Sequence, residues 1–307
     1  MLKALLSLIL LSGTAISNNL PANTETNILL TGKQMVIEEQ LKKKVLDITL
    51  PPGLKKKAAD APLIQASSAL VYDLNSGVIL YQKNIDTKQP IASITKLMTA
   101  IIILEENDLN EIATIKQEST QIGGVKIWLY TGEKITIANL LRGALIPSGN
   151  DAAHALAIHN SGSINLFVQK MNQKGQILGL KNSHFANPMG FDDPENYSTA
   201  EDLVTLSKYA LKKKFIRDTV KISHTEVISE NGKIKHELSS TNKLLTDSDI
   251  IVKGLKTGNT ENAGLCFIGL IQNTENHEFV SIVLNSPARF TETKTLSKWI
   301  IDNYIWP

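Results

Sequence analysis

Alternating apolar residues and runs of β-branched residues predict strands at both ends of the folded part of the chain. Near its start, "SSALVYDLNSGVILYQKN" has apolar runs on either side of residues 73–77, whose side chains favour a turn, and this predicts a β-hairpin. Near its end, "AGLCFIGLI" and "EFVSIVLNS" predict a second strand pair across the polar "QNTENH". We expect the first and last strands to meet in one antiparallel sheet.

Apolar positions three and four residues apart predict helices between these strand groups. "TIANLLRGAL" predicts a helix that Pro147 stops, and "SINLFVQKMNQKGQILGL" has four apolar residues on one helical face. In "YSTAEDLVTLSKYAL", Ser198 and Glu201 have the spacing of a capping box. "TETKTLSKWIIDNYI" predicts a last amphipathic helix. The predicted fold class is α/β in the α+β sense, with an antiparallel sheet, flanking helices and a helical region inserted at about 100–245.

The chain begins with a segment that predicts export. "MLKALLSLILLSGTAIS" has an early lysine, an apolar stretch and then small residues, which is the pattern of a secretory signal peptide over residues 1–17. An uncleaved membrane anchor and a buried N-terminal helix are the alternatives. Residues 18–61 are polar and Lys-rich, and they predict a solvated linker, with peripheral contact to anionic lipid as the alternative. The folded domain is then expected over 62–307.

Composition narrows the class of protein. The 307 residues are 42% hydrophobic and 20% charged, which is typical of a globular domain. The formal net charge is only +2, and arginine occurs only at positions 142, 217 and 289, so a nucleic-acid binder is excluded. The single cysteine, Cys266, allows no intrachain disulfide. The lack of an intrachain disulfide and the predicted signal peptide together indicate an extracytoplasmic protein of the bacterial periplasm or cell envelope.

The stretch "ASITKLMTA" places a hydroxyl, Ser93, three residues before an ammonium group, Lys96. Residues three apart share a helical face, so the two side chains can meet. Ile94, Leu97 and Met98 would bury the lysine, and burial disfavours the charged form of an amine. The pair is therefore a candidate nucleophile and general base.

This spacing alone carries little weight, because residues 240–243 contain a second Ser-x-x-Lys. Two further motifs follow Ser93 in the chain. "PSGNDAA" holds Ser148 and Asn150, and "KGLKTGNTENAG" holds Lys-Thr-Gly at 256–258, a tripeptide that occurs once in the chain. Their settings differ, since the first motif opens an apolar helix, the second follows a proline that ends a helix, and the third leads into a strand.

The three motifs together resemble those of penicillin-binding proteins and serine β-lactamases. The longer phrases "PIASITKLMTA", "SGNDAA", "HFANPMGF", "STNKLL" and "KTGNTENAG" resemble the low-molecular-mass branch, the D-alanyl-D-alanine carboxypeptidases and endopeptidases. The resemblance spans residues 70–299. It implies a β-lactamase/transpeptidase-like fold with a five-stranded antiparallel sheet. It also implies a penicillin-sensitive serine D-alanyl-D-alanine carboxypeptidase that acts on peptidoglycan stem peptides, is acylated by β-lactams, and needs neither cofactor nor metal.

The resemblance implies a catalytic role for each motif residue. Ser93 would attack the carbonyl carbon of the penultimate D-Ala, with Lys96 as its general base. Ser148, helped by Lys256, would pass a proton to the leaving amine, and Asn150 would orient Lys96 and the substrate amide. These are the residues expected to carry catalysis.

Substrate binding is implied further along the chain. Backbone N–H groups of Ser93 and Asn259 would form the oxyanion hole, and Thr257 would bind the substrate carboxylate. Arg289 is a second candidate for binding that carboxylate, and an exposed charge at the start of a helix is the alternative. The residues expected to bind substrate are Thr257, Gly258, Asn259, Thr260 and Arg289.

Three other classes of protein fit this sequence less well. The six histidines, at positions 154, 159, 184, 224, 236 and 277, show neither His-x-x-x-His nor His-Glu-x-x-His, so a metal hydrolase is disfavoured. A class A-like β-lactamase would have Glu-x-x-Leu-Asn after the second motif. Here that pattern occurs at 106–110, before Ser148, and Asp192, Asp193 and Glu195 are expected to be loop carboxylates. An inactive penicillin-binding module would be expected to have lost Ser93 or Lys96.

Two activities remain within the favoured family. Carboxypeptidases of this branch usually continue into a second, β-rich domain, whereas this chain stops at Pro307, as the shorter endopeptidases do. By contrast, the sequence "SGNDAA" around the second motif is more typical of carboxypeptidases. We therefore expect a carboxypeptidase, with a D-Ala-diaminopimelate endopeptidase as the alternative.

Overall fold

The computed structural model describes residues 50–307. The predicted signal peptide, and residues 18–49 of the predicted linker, lie outside the described residues. In chain order, the strands are β1 (Gly53–Leu54), β2 (Ser68–Asp73), β3 (Ile79–Lys83), β4 (Gln89–Pro90), β5 (Ile112–Thr114), β6 (Lys134–Thr136), β7 (Tyr197–Ser198), β8 (His224–Ile228), β9 (Lys235–Ser239), β10 (Ile251–Thr260), β11 (Gly264–Gln272), β12 (Glu278–Ser286) and β13 (Tyr304–Ile305). The α-helices are α1 (Lys96–Glu106), α2 (Gln117–Thr120), α3 (Ile137–Leu145), α4 (Asn150–Ser161), α5 (Ile164–Leu178), α6 (Ala200–Lys212), α7 (Lys214–Thr219) and α8 (Arg289–Asn303), and 3-10 helices occur at Ala92–Thr95 and Lys243–Thr246.

The central sheet has five antiparallel strands in the order β10-β11-β12-β2-β3. The predicted hairpin is confirmed as β2 and β3, and the predicted second pair as β11 and β12. The sheet strand that comes first in the chain, β2, pairs with the one that comes last, β12, and Leu70 lies opposite Ile282. The predicted fold, an antiparallel sheet flanked by helices, is thereby confirmed.

The sheet buries apolar side chains on both faces, because successive residues of a strand point to opposite sides. Leu70 belongs to the core on the side of α1, and the next residue, Val71, belongs to the core under α8. Helix α1 is buried at every position from Lys96 to Ile103. Burying a large aliphatic side chain contributes about 1.5–3 kcal/mol. The helix that carries the Ser-x-x-Lys lysine is thus enclosed by the core over most of its length.

The capping box is predicted one residue too early. Thr199 is the N-cap of α6, and its side chain accepts a hydrogen bond from the backbone N–H of Asp202. Ser198 instead lies in β7, opposite Gln89 of β4. Both Ser198 and Thr199 are favourable N-cap residues, and pairing with β4 decides between them.

Lys-Thr-Gly lies within a strand, not before one, because β10 already begins at Ile251. Glycines at 254 and 258 lower the strand propensity of "IVKGLKTGNT", and pairing with β11 stabilises the strand nevertheless. Three short strand pairs, β4 with β7, β5 with β6 and β8 with β9, also had no clear sequence signal. The end of the predicted linker contacts the domain, since β1 pairs with β13.

None of the helices within residues 50–307 combines the length and the apolar character needed to cross a membrane.

Candidate active site

Ser93 lies in the 3-10 helix that runs directly into α1, and Lys96 is the first residue of α1. Ser93 is half-buried, whereas the side chain of Lys96 has no exposed surface. The apolar neighbours Ile94, Leu97 and Met98 are likewise fully buried, as predicted. The lysine therefore has to satisfy its polar atoms within the protein.

The Nζ atom of Lys96 lies 2.7 Å from each of three oxygens, Ser93 Oγ, Asn150 Oδ1 and Met189 O. The orientation of the Asn150 amide follows from its Nδ2, which donates to Gly123 O at 2.9 Å. An amide oxygen and a backbone carbonyl can only accept hydrogen bonds. A neutral amine has two N–H groups for these two acceptors, and its lone pair then faces the Ser93 hydroxyl.

The surroundings favour this neutral amine. Burial holds the pKa of Lys96 well below the usual lysine value, and the nearby positive charge of Lys256 lowers it further. Asp151 acts in the opposite direction, because its negative charge raises the pKa of Lys96. The lowering effects outweigh that of Asp151, so Lys96 can accept a proton from Ser93.

Ser148 and Lys256 form the second polar contact of the site. Lys256 Nζ donates to Ser148 Oγ at 2.8 Å and to Thr257 O at 3.0 Å. Lys256 is buried in β10, and burial, followed by the positive charge of Arg289, lowers its pKa to about 7. Ser148 follows the proline that ends α3 and has a positive φ of 68°. The structure thus joins Ser93, Lys96 and Asn150 in one set of contacts and Ser148 and Lys256 in a second, and the charge of Lys256 acts on Lys96 across the site.

Strand β10 approaches the Ser93 turn closely at Gly258. A Cβ atom at this position would lie 2.7 Å from Ile91 O and 3.4 Å from the backbone nitrogen of Ser93. Contacts of 2.7 Å are not tolerated by real side chains, so glycine is required for this approach. The strand edge therefore faces the start of the helix, which is the setting that an oxyanion hole between Ser93 and Asn259 requires.

Protein groups surround the residues expected to bind substrate. Thr257 Oγ1 lies 2.5 Å from Thr241 Oγ1, and Thr260 donates to Asp192 Oδ1 at 2.6 Å. Arg289 is half-buried, and its Nη1 donates to Gly258 O at 2.6 Å. Arg289 therefore lies against the Lys-Thr-Gly strand. Asn259 is exposed beside it.

Sequence reasoning missed three groups that shape the site. They are the carbonyl oxygen of Met189, the hydroxyl of Thr241 and the carboxylate of Asp151. Each falls inside a phrase that supports the family resemblance, "HFANPMGF", "STNKLL" and "SGNDAA" respectively. Those phrases were the available signal, but they did not indicate which atom acts.

Asp151 holds the loop of residues 123–130 against the site. Its carboxylate accepts hydrogen bonds from the backbone N–H of Ile127 at 3.0 Å, of Leu129 at 3.2 Å and of Ala152 at 2.9 Å. The backbone N–H of the adjacent Asn150 donates to the carbonyl oxygen of Val125 in the same loop at 2.7 Å. Asp151 is fully buried, so these bonds are shielded from water.

The carboxylates considered for a β-lactamase make loop contacts. Asp192 also accepts from the backbone N–H of Asn262, and Asp193 accepts from that of Glu195 at 2.8 Å. Glu106 contacts Lys170 and Asn160 on the helical surface. Within residues 50–307, no cluster of three or more histidine, cysteine or carboxylate side chains is arranged to hold a metal ion.

Comparisons with known proteins agree with this geometry. A model of the peptidase S11 family, described as D-alanyl-D-alanine carboxypeptidase, matches residues 55–288. D-alanyl-D-alanine carboxypeptidase DacA of Haemophilus influenzae is 34% identical over 254 residues, which are 79% of this chain and 63% of that protein. The chain thus spans less than two thirds of that relative's length.

Two further relatives extend the comparison. D-alanyl-D-alanine endopeptidase of Pseudomonas aeruginosa is 33% identical over 251 residues, which are 79% of this chain and 80% of that protein. The crystal structure of the Streptomyces K15 DD-transpeptidase superposes with a TM-score of 0.73 at 29% identity, and the match covers 78% of this chain and 98% of that one. The five-stranded sheet and its flanking helices are therefore similar to those of a solved DD-peptidase.

Proposed function

Because the chain belongs to the peptidase S11 family of D-alanyl-D-alanine carboxypeptidases, we propose that it is a penicillin-sensitive serine carboxypeptidase that removes the terminal D-Ala from peptidoglycan stem peptides. The 2.7 Å contact between Ser93 Oγ and the Nζ atom of the fully buried Lys96 carries this proposal. A hydroxyl beside an amine of lowered pKa can be activated for acyl transfer without a histidine, a cofactor or a metal.

In the first half of the proposed reaction, Ser93 Oγ bonds to the carbonyl carbon of the penultimate D-Ala while its proton passes to Lys96. Negative charge develops on the carbonyl oxygen, where the N–H groups of Ser93 and Asn259 stabilise it. Thr257 and Arg289 bind the terminal carboxylate of the substrate, and Arg289 suits this task because its planar fork matches a carboxylate.

In the second half, the bond to the terminal D-Ala breaks, and the leaving nitrogen receives a proton from Ser148, which Lys256 replenishes. The 2.8 Å contact between Lys256 and Ser148 supports this relay. Water then adds to the Ser93 ester and gives up a proton, which restores Lys256. The bond to Ser93 Oγ breaks, Oγ takes back the proton held by Lys96, and the shortened stem peptide leaves with the hydroxyl regenerated. A β-lactam carries the same acyl and carboxylate groups, and it would form a slowly hydrolysed ester at Ser93.

Incubation with a pentapeptide muropeptide monomer, followed by mass spectrometry, tests the proposal. We expect the monomer to lose one D-Ala. Ser93→Ala should abolish the reaction, and Lys96→Ala should slow it by about three orders of magnitude or more, because the nucleophile loses its base. Ser248→Ala, at an exposed serine, is the matched control and should keep full activity. Full activity in Ser93→Ala would show that another residue is the nucleophile.

An endopeptidase of the same family is the second candidate, because a relative at 33% identity bears that name. A cross-linked muropeptide dimer added to the same assay separates the two activities. Splitting of the dimer without trimming of the monomer would replace the carboxypeptidase by the endopeptidase. Rapid turnover of a fluorescent penicillin at Ser93 would instead favour a β-lactamase.

The proposed substrate lies outside the cytoplasm, so the proposal includes export. Residues 1–17 act as the signal peptide, the enzyme works in the periplasm or cell envelope of a bacterium, and the lysines of residues 18–61 allow peripheral contact with anionic lipid. Cell fractionation combined with N-terminal sequencing of the isolated protein tests this. A protein found in the cytoplasm with Met1 in place would contradict it.

A further inference from the structure

The loop of residues 123–130 is held rigidly beside the candidate active site. Asn150 donates to Gly123 O from its side chain and to Val125 O from its backbone, at 2.9 and 2.7 Å. Asn150 also contacts Lys96, so the loop is two hydrogen bonds away from the amine beside Ser93. Further along the loop, the buried His236 contacts the carbonyl oxygen of Ile127 at 2.8 Å.

The outer face of this loop is aromatic. Ile127 and Leu129 point inward and are only 4% and 5% exposed. Trp128 and Tyr130 alternate with them and are 71% and 60% exposed, and Val125 is 51% exposed. A surface loop normally carries polar residues on its outer side, so an apolar stripe on a well-anchored loop indicates a binding surface.

Trp128 is held outward by its backbone. Its φ is +64°, a left-handed conformation that is unfavourable for a large side chain and that concentrates at functional sites. The backbone N–H groups of the residues on either side of it, Ile127 and Leu129, both bond to the buried carboxylate of Asp151. Lys126 Nζ lies 5.4 Å from the Trp128 ring centroid, so the stripe also carries a positive charge. These contacts keep the indole exposed at a defined place.

We propose that Trp128, Tyr130 and Lys126 form a docking surface for the glycan strand of peptidoglycan. This inference rests on the proposed function and names a second part of the same substrate. A sugar ring has one face of C–H groups, which packs on an aromatic ring, and hydroxyls at its edge that the polar ends of tryptophan and tyrosine can bind. The Lys126 ammonium group complements the carboxylates of neighbouring stem peptides.

The stem peptide brings the glycan to this place. About four residues separate the scissile bond from the sugar, and an extended peptide of that length spans at most about 14 Å. The backbone N–H groups on either side of Trp128 donate to the carboxylate of Asp151. Asn150, the residue before Asp151, contacts Lys96, which in turn contacts Ser93. The loop that carries the stripe is thus tied to the active site, and we expect a stem peptide bound at Ser93 to carry its glycan towards it.

The test compares two substrates that differ in the glycan. One is glycan strands bearing pentapeptides, and the other is the free tripeptide diacetyl-L-Lys-D-Ala-D-Ala. For Trp128→Ala, we expect kcat/KM on the glycan-attached pentapeptide to fall about fivefold relative to that on the tripeptide, because one aromatic packing contact is lost. Trp128→Phe should retain the wild-type ratio. Ile177→Ala removes an equally exposed apolar side chain from α5 and should leave the ratio unchanged.

A binding measurement separates this inference from the proposed function. Glycan strands stripped of peptides are titrated against the Ser93→Ala protein while tryptophan fluorescence is followed. Saturable quenching that Trp128→Phe removes supports the docking surface, even if neither substrate is hydrolysed.

Three results would overturn the inference. The first is an equal loss of kcat/KM on both substrates in Trp128→Ala. The second is the absence of any effect of this variant on the rates and on glycan binding. The third is the assignment of the stripe to another occupant, shown by Trp128-dependent sedimentation with anionic vesicles or by Trp128-dependent dimerisation.

Discussion

A Cβ atom at Gly190 would lie 2.0 Å from the carbonyl oxygen of Ala92, the residue before Ser93. Gly190 follows Met189, whose carbonyl oxygen accepts a hydrogen bond from Lys96. The loop that carries this acceptor can therefore pack on the nucleophile turn only if residue 190 has no side chain. The φ of Gly190, +84°, adds a second requirement for glycine.

Gly190→Ala should consequently damage both stability and acylation. We expect the free energy of unfolding to fall by about 4 kcal/mol, from backbone strain together with overpacking. The rate of acylation by a fluorescent penicillin should fall at least about 100-fold, because Lys96 loses its acceptor. Gly179→Ala is the matched control, since Gly179 has a φ of +76° but no atom within 4 Å of its Cβ position, and it should cost about 1 kcal/mol. Equal losses in the two variants would contradict the packing argument.

The acid limb of the acylation rate should report the protonation of Lys96. A protonated Lys96 cannot take the Ser93 proton, so the rate falls as the pH falls through the pKa of Lys96. Lys256→Met removes a positive neighbour, which raises the pKa of Lys96 and moves the limb to higher pH. Asp151→Asn removes a negative neighbour and moves it to lower pH. The measurement is the second-order rate constant for penicillin acylation from pH 4 to 9, normalised to each variant's plateau. Shifts in the same direction would exclude Lys96 as the titrating base.

The main elements of the fold could be predicted because their signals are local. Period-two and β-branched runs identify β2, β3, β11 and β12, and the turn chemistry of residues 73–77 identifies the first hairpin. Strand β10 was only partly foreseen, since its glycines weaken the local preference and its register comes from β11. The position of the α6 cap likewise depended on a tertiary pairing, that of Ser198 with Gln89.

The candidate site also has some features with a sequence signal and others that depend on tertiary contacts. The spacing of Ser93 and Lys96 allows their contact, but Ser240 and Lys243 have the same spacing, so the family resemblance was needed to single out the first pair and to predict the contact of Lys96 with Asn150. The Met189 acceptor could not be predicted, because a carbonyl oxygen belongs to every residue and has no sequence signature. The aromatic stripe of Trp128 and Tyr130 was missed for a different reason. Its meaning depends on which side of the loop faces the core, and only the hydrogen bonds to Asp151 decide that.

Asp151→Ala should loosen this loop. The substitution leaves the buried N–H groups of Ile127 and Leu129 without an acceptor, and each such loss costs about 1–3 kcal/mol. We expect the free energy of unfolding in urea to fall by about 3 kcal/mol. Amide hydrogen exchange of residues 123–130 should accelerate as well. Asp302→Ala, at an exposed aspartate, is the control and should change stability by less than about 0.5 kcal/mol. Unchanged exchange in the loop would show that other contacts hold it.

The hydroxyl of Thr241 provides a test of carboxylate binding at Thr257. The two Oγ1 atoms are 2.5 Å apart, and each threonine hydroxyl has a single proton. Whether Thr241 donates or accepts in this pair, the contact determines where the Thr257 hydroxyl points. Thr241→Val keeps the shape of the side chain but removes its hydroxyl, so Thr257 can turn away from the substrate. We expect KM for the D-Ala-D-Ala tripeptide to rise about fivefold, the effect of one neutral hydrogen bond, while kcat changes less. Thr205→Val on the exposed face of α6 should leave both constants unchanged. A fall in kcat at constant KM would instead place the pair in the proton relay of Ser148 and Lys256.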